Sequence, residues 1–260
     1  MSKNPNEEND SLLIKSAADL LVRSKKAVAF TGAGISTHSG IPDFRSADSG
    51  LWNRYNPFQV ASLHAFRDDP ESFFNWIKPL AETAELAEPN PAHTGLAKME
   101  KAGIIQAVIT QNIDGLHQKA GSEKVLELHG SARTATCRNC GRIYNEDYFK
   151  QTLLKDDLIP VCANCGTIIK PDVVLFGEML PEDTWDAAFR LCQKSDCLIV
   201  VGSSLEVSPA NTLPQTAVQN GAHLIINNLS PTPLDGLADI ILQIDVAEGI
   251  EKIWQEMRSG

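Results

Sequence analysis

Short apolar runs without polar alternation punctuate this chain. They lie at 27–31, 105–110, 125–129, 173–176, 197–202, 224–227 and 240–244. A strand with one wet face alternates, whereas an unbroken run of Val, Ile and Leu is a strand covered on both faces. Between these runs, apolar residues recur at helical spacing over 11–24, 70–86, 92–102, 182–194, 208–220 and 246–258. Strands alternating with helices form a parallel sheet joined by crossovers. The expected class is therefore α/β, with a Rossmann-like doubly wound parallel sheet. Two stretches break the alternation. Residues 40–90 read as a long loop with helical pieces, and residues 133–170 carry four cysteines.

Ligands of such sheets bind outside the carboxyl ends of the strands. Thr31, Thr110, His129, Gly202 and Asn227 all fall at such ends, so five segments can meet at one crevice. The first end is the richest. Directly behind the run at 27–31 comes Gly32-Ala33-Gly34-Ile35-Ser36-Thr37, and further on Pro42-Asp43-Phe44-Arg45. Small residues in a strand-to-loop turn let backbone N–H groups approach a phosphate, and Arg45 adds a fixed cation. The dinucleotide fingerprint is incomplete, because Thr37 occupies the third glycine position and no acidic residue follows at the ribose distance. Taken alone, the two glycines describe a turn as well as a phosphate cradle.

With 260 residues there is ample chain for a sizeable core. A net charge of −10 argues against non-specific nucleic-acid binding, which needs a positive surface. No apolar run reaches the length of a membrane span, and residues 1–10 lack an apolar signal core and read as a disordered tail. The expectation is a cytoplasmic protein with no membrane partner, its six cysteines reduced or metal-bound. Oligomeric state is left open, a monomer included.

Cys137-x-x-Cys140 and Cys162-x-x-Cys165 stand 21 residues apart, each pair followed by a glycine, Gly141 or Gly166. Two such knuckles supply the four thiolates of a structural zinc ribbon, a closed shell that holds structure and does no chemistry. Cys192 and Cys197 read as core residues.

Thr110-Gln111-Asn112-Ile113-Asp114 sets donors and acceptors immediately behind a buried strand. Asn and Asp there serve equally as helix caps. A histidine titrates near neutrality, so His129, the one histidine at a strand's carboxyl end, is a candidate to take a proton from a hydroxyl.

Gly-Ala-Gly-Ile-Ser, Pro-Asp-Phe-Arg, Thr-Gln-Asn-Ile-Asp, Leu-His-Gly, the paired cysteines, Phe-Gly-Glu at 176–178, Gly-Ser-Ser at 202–204 and Asn-Asn-Leu at 227–229 follow one another in this order. Together they resemble the sirtuins, NAD-dependent protein deacylases, of bacterial and archaeal type. The resemblance spans about residues 12–258. It implies NAD as co-substrate, one structural zinc ion and acetyl-lysine protein substrates. It implies that Gly32, Ala33, Gly34, Thr37, Phe44 and Arg45 form the cofactor loop. Gln111, Asn112, Ile113 and Asp114 would surround the ribose and nicotinamide, with Asn112 and His129 catalytic and His129 the general base. Gly202, Ser203, Ser204, Asn228, Asp245 and Val246 would contact the adenosine side. Val174, Phe176, Gly177 and Glu178 would pair with the substrate peptide as an added strand. Cys137, Cys140, Cys162 and Cys165 would hold the zinc.

The organisation implied is an NAD-binding domain from 11–39, 91–132 and 171–260, a cofactor loop and helical insertion at 40–90, and a zinc-ribbon insertion at 133–170. The reaction implied transfers the acetyl group of lysine to ADP-ribose, releasing nicotinamide and O-acetyl-ADP-ribose. Protein ADP-ribosyl transfer and removal of longer acyl chains are the alternatives. Members that prefer succinyl or malonyl groups carry a tyrosine and an arginine on a helix near the cofactor. The corresponding stretch here is Phe73-Phe74-Asn75-Trp76-Ile77, and no arginine lies between Arg67 and Arg133. Weak activity on anionic acyl groups is expected. Gly-Ser-Ser replaces the commoner Gly-Thr-Ser and keeps the hydroxyl.

Overall fold

The structure, a computed structural model, describes residues 5–44 and 50–259. Among these, nine strands occur: β1 (Ala27–Thr31), β2 (Ile105–Thr110), β3 (Val125–Glu127), β4 (Gly130–Thr136), β5 (Ile143–Asn145), β6 (Lys170–Val173), β7 (Cys197–Val201), β8 (His223–Asn227) and β9 (Ile240–Leu242). Ten helices accompany them: α1 (Pro5–Arg23), α2 (Pro57–Val60), α3 (Leu63–Asp68), α4 (Pro70–Leu86), α5 (Pro91–Lys101), α6 (Leu116–Lys119), α7 (Glu146–Phe149), α8 (Glu182–Lys194), α9 (Thr212–Gln219) and α10 (Val246–Ser259).

Six strands form one sheet in the order β3-β2-β1-β7-β8-β9, and every pairing in it is parallel. Both faces are covered, as the unbroken apolar runs require. On one face α1, α5 and α10 bury Leu21, Leu96, Met99 and Ile250 against Ala29, Ile199 and Ile225. On the other, α8 and α9 bury Ala188, Cys192, Leu213 and Ala217 against Val28, Leu198 and Leu224. The register sets Thr31 level with Thr110 on one side and Val201 on the other, and Val201 level with Asn227. The loops that follow these residues therefore leave the sheet at one height.

The expected strand at 173–176 does not join this sheet. The chain turns out of it after Glu127, and at Gly130 (φ +74°) it enters a second, antiparallel sheet of order β5-β4-β6. Val173 pairs there with Gly130, because the run at 170–173 returns beside the strand that led into the cysteine-bearing segment. A Cβ at Gly130 would sit 2.0 Å from the Asp172 carbonyl oxygen, so this close crossing needs glycine.

Two helix starts also differ from expectation. α1 begins at Pro5 rather than 11, taking in most of the segment read as a tail; proline suits a first helical turn, and the same helix buries Ile14, Ala17, Ala18 and Leu21 further on. α9 begins at Thr212 rather than 208, behind Pro209.

The 40–90 insertion folds into α2, α3 and α4, each opened by a side-chain cap: Asn56 to Phe58 N–H, Ser62 to Ala65 N–H and Asp69 to Ser72 N–H. It meets the segment that follows β6 through an isolated parallel bridge between Ser62 and Phe176.

Candidate active site

A cavity of about 900 Å³ opens at the carboxyl ends of β1 and β2, between the large sheet and the insertion. Ala33, Ser36, Phe44, Gln111, Asn112, Ile113, Asp114, His129, Val174, Phe176, Gly177 and Glu178 all line it. Eleven of these were named from sequence and come from four separate segments; Ser36 was not among them. Arg45 lies outside the described residues.

The glycine turn is built by loop-to-loop contact. Gly34 N–H donates to the Gly202 carbonyl at 2.9 Å. A Cβ at Gly34 would lie 2.8 Å from that oxygen, and one at Gly202 (φ +62°) would lie 2.3 Å from Ile35 N. The glycines bring the loop after β1 against the loop after β7. Gln111 Nε2 spans the same junction, donating to Ser203 Oγ at 2.8 Å.

One wall of the cavity is polar and fully bonded. The Ser36 hydroxyl donates to Asp114 Oδ2 at 2.7 Å and accepts from Asn112 Nδ2 at 3.1 Å. Leu116 N–H holds the other Asp114 oxygen at 2.9 Å. Behind Ser36 stands His93, with Nε2 at 3.4 Å from the hydroxyl. Asn90 N–H reaches His93 Nδ1 at 3.4 Å, which leaves the ring proton on Nε2. Burial lowers the His93 pKa to about 4 against the pull of Asp114, and burial with the neighbouring His93 ring lowers that of His117 to about 3. Both imidazoles are neutral at pH 7. Ser36 and His93 escaped the sequence reading; the Asn90-Pro91 helix start, with His93 three residues in, was the available signal.

His129 sits between β3 and β4. Its Nδ1 lies 2.9 Å from the Gln111 carbonyl, an acceptor only, so Nδ1 carries the proton and Nε2 is the basic nitrogen.

The opposite wall is aromatic. Phe44 and Trp52 stack with centroids 5.0 Å apart, Trp52 and Trp76 at 6.2 Å, and the Phe176 ring meets Trp52 at 6.1 Å. No lysine or arginine lines this cavity among the described residues. Phe74 faces a smaller neighbouring cavity and Ile77 borders both; in the smaller one Arg133 is paired with Glu127 and Lys150 with Glu85.

Several named residues lie away from the cavity, along the carboxyl ends of β7 to β9. Ser203 is buried and Ser204 half-buried. Asn228 Nδ2 donates to the Ser230 carbonyl at 2.7 Å. Asp245 caps α10, accepting from Ala247 and Glu248 N–H, and its other oxygen meets His38 Nε2 at 2.5 Å. Val246 is buried in the core, so its side chain faces the sheet. Thr37 turns back onto the Gly34 carbonyl at 3.0 Å.

A family model of the Sir2 family matches residues 32–209. NAD-dependent protein deacetylase 2 of Caldanaerobacter subterraneus subsp. tengcongensis is 44% identical over 247 residues, covering 95% of this chain and 97% of that protein. This chain belongs to the Sir2 family. A solved Sir2 enzyme is 45% identical with a TM-score of 0.90, covering 96% of this chain and 99% of its own. A Sir2 structure with a p53 peptide and NAD+ is 42% identical with a TM-score of 0.86, covering 95% and 99%.

The cysteine segment forms a compact module. The sulfurs of Cys137, Cys140, Cys162 and Cys165 all lie within 4.8 Å of one another. Tetrahedral zinc with bonds of about 2.3 Å sets its sulfurs roughly 3.8 Å apart, so the four thiols are positioned to bind one zinc ion. The two knuckles match: Gly141 N–H bonds the Cys137 carbonyl at 2.9 Å, and Gly166 N–H that of Cys162 at 2.8 Å. Hydrogen bonding with Thr167 lowers the Cys165 pKa to about 5 and Tyr144 lowers that of Cys162, favouring thiolates at these two positions, whereas that of Cys137 is raised to about 11. Among the described residues no helix is long and apolar enough to cross a membrane.

Proposed function

We propose that the protein removes acetyl groups from lysine side chains of proteins in an NAD-dependent reaction yielding nicotinamide and O-acetyl-ADP-ribose. The observation that carries this reading is His129, held by the Gln111 carbonyl with its basic Nε2 nitrogen on a cavity that has a bonded polar wall and an aromatic one. NAD supplies a ribose C1′ from which nicotinamide leaves. The residues supply the rest. His129 takes a proton from a ribose hydroxyl once the acyl oxygen has been engaged. Asp114, fixed by Ser36 and Leu116 N–H, accepts from a carboxamide, and Asn112 contacts the ribose. Phe44, Trp52 and Phe176 exclude water and receive the apolar stem of the lysine.

The Val174 carbonyl and the Gly177 N–H have no partner among the described residues, which suits an extended peptide adding as a strand. On this reading the adenosine lies towards Gly202, Ser203, Ser204, Asn228 and the head of α10, with Arg45 beside the phosphates. Segments 11–39, 91–132 and 171–260 then form the NAD-binding domain, with the 40–90 and 133–170 insertions framing the peptide. Six unpaired cysteines fit a reducing, cytoplasmic setting.

The test is incubation with an acetyl-lysine peptide, with and without NAD, followed by mass spectrometry. NAD-dependent loss of acetyl with appearance of nicotinamide and O-acetyl-ADP-ribose is expected. ADP-ribose left covalently on protein, with the acetyl group intact, would overturn the reading in favour of ADP-ribosyl transfer.

A further inference from the structure

Glu178 lies in the segment assigned to the substrate edge, yet its carboxylate is fully engaged by the protein. One oxygen accepts from Leu175 N–H at 3.0 Å and from Lys170 Nζ at 2.9 Å, and the other pairs with Arg138. Glu178 N–H in turn donates to the Leu175 carbonyl at 2.9 Å, closing the turn through Gly177 (φ +88°). Lys170 is 4% exposed, and its ammonium also reaches the carbonyls of Pro171 at 2.9 Å and Val173 at 2.5 Å. Three protons thus find three acceptors. A charge is buried this deeply only where its partners are fixed. Arg138 stands inside the Cys137–Cys140 knuckle, so one run of bonds joins the cysteine module to the edge.

What these bonds fix is the backbone at 173–178. Along it, Val174 N–H is taken by the His129 carbonyl, Phe176 N–H by Ala61 and Leu175 N–H by Glu178. The groups left over among the described residues include the Val174 carbonyl and the Gly177 N–H, which the added peptide strand would use. We infer that Glu178 and Lys170 are positioning residues for the acyl-lysine peptide, with Arg138 anchoring them to the cysteine module; Glu178 itself does not touch the peptide. This rests on the deacetylase reading of the cavity.

The experiment compares Glu178→Ala, Lys170→Met, their double variant and Arg138→Met with the full-length, metal-loaded enzyme. It reads peptide KM and kcat at saturating NAD, NAD binding by calorimetry, and amide hydrogen exchange at 173–178 without substrate. Glu178→Ala should raise peptide KM on the order of tenfold, the scale of an edge displaced by a fraction of an ångström, with kcat and NAD affinity within about twofold. The double variant should be no worse than Glu178→Ala, since the two act as one unit. Arg138→Met should raise KM by about twofold, as expected of a half-exposed pair. Leu175 amide exchange should quicken in Glu178→Ala. An unchanged KM, or kcat and NAD affinity falling together with it, would overturn the inference. If the unaltered enzyme turns over no acetyl peptide, the deacetylase reading fails, and amide exchange still decides the clamp: unchanged Leu175 protection in Glu178→Ala sinks it.

Discussion

The two walls of the cavity are held by different physics. Ser36, Asn112, Asp114 and Gln111 stand on loops at the ends of parallel strands whose register is fixed by main-chain pairing, and each is pinned by hydrogen bonds of 2.7–3.1 Å. Phe44, Trp52, Trp76 and Phe176 come from the insertion and the substrate edge, and meet through ring contacts 5.0–6.2 Å between centroids. Hydrogen bonds fix direction; ring contacts are worth roughly 0.5–1.5 kcal/mol each and tolerate several arrangements. Among the described residues even the Trp76 indole N–H is left without a partner. On the proposed reading, the reaction centre lies on the rigid wall and the part that accepts varied acyl-lysine segments on the adaptable one.

Short of removing the base, the largest effect should come from the module that frames both walls. Cys137→Ser, or chelation of the metal, should unfold the second sheet and remove turnover, because a structural zinc site contributes on the order of 10 kcal/mol to such small modules. Circular dichroism with metal analysis checks this; an active, folded Cys137→Ser variant would break the link between module and cavity. Ser36→Ala takes one hydroxyl from the polar wall. A lost bond to this half-buried, charged carboxylate costs about 1.5–3 kcal/mol, so kcat/KM should fall roughly ten- to a hundredfold. Trp52→Ala on the other wall should change peptide KM only about three- to tenfold: three ring contacts are lost, but the remaining rings can close up on one another. A Trp52 effect larger than the Ser36 effect would reverse the assignment of rigid and adaptable walls. Succinyl-lysine peptides should turn over at least about tenfold more slowly than acetyl ones, for want of a cation on the aromatic wall to pair a desolvated carboxylate.

The smallest expected effect sharpens the same contrast through pH. The folded pKa values of His93 and His117 are depressed to about 4 and about 3, so the unfolded chain binds more protons below pH 6.5. Stability is therefore fully present above about pH 6.5 and is lost as pH falls towards 3–4, by at most about 1.4 kcal/mol per unit for each histidine. Urea unfolding at pH 7, 6 and 5 measures the slope, and His117→Gln should flatten it. A slope unaffected by that change would mean His117 titrates normally.

The sequence carried the rigid wall better than the adaptable one, for physical reasons. Strands at 27–31, 105–110 and 240–242 are buried on both faces, so their apolar runs alone mark them, and their carboxyl ends locate the crevice. The cysteine spacing is local and could be read directly. The run at 173–176 looked the same as the others, but its pairing depends on Gly130 turning the preceding strand into another sheet, a long-range fact that composition does not carry. His93 was hidden at the head of a helix, where its distance from Ser36, 57 residues away in sequence, is set by packing. Val246 matched the pattern of an adenosine contact, yet its side chain belongs to the core. Of the aromatic wall, Phe44 and Phe176 were named through their motifs, while Trp52 and Trp76 were not named as lining it, because ring stacking leaves no periodic trace.

The most direct test of the central claim is to measure NAD binding and product formation side by side in His129→Ala. The account predicts that O-acetyl-ADP-ribose formation falls by at least about a hundredfold, the scale of a lost general base, while NAD binds within a few-fold of its normal affinity. Product formation at the normal rate in that variant would show that the base lies elsewhere and contradict the account.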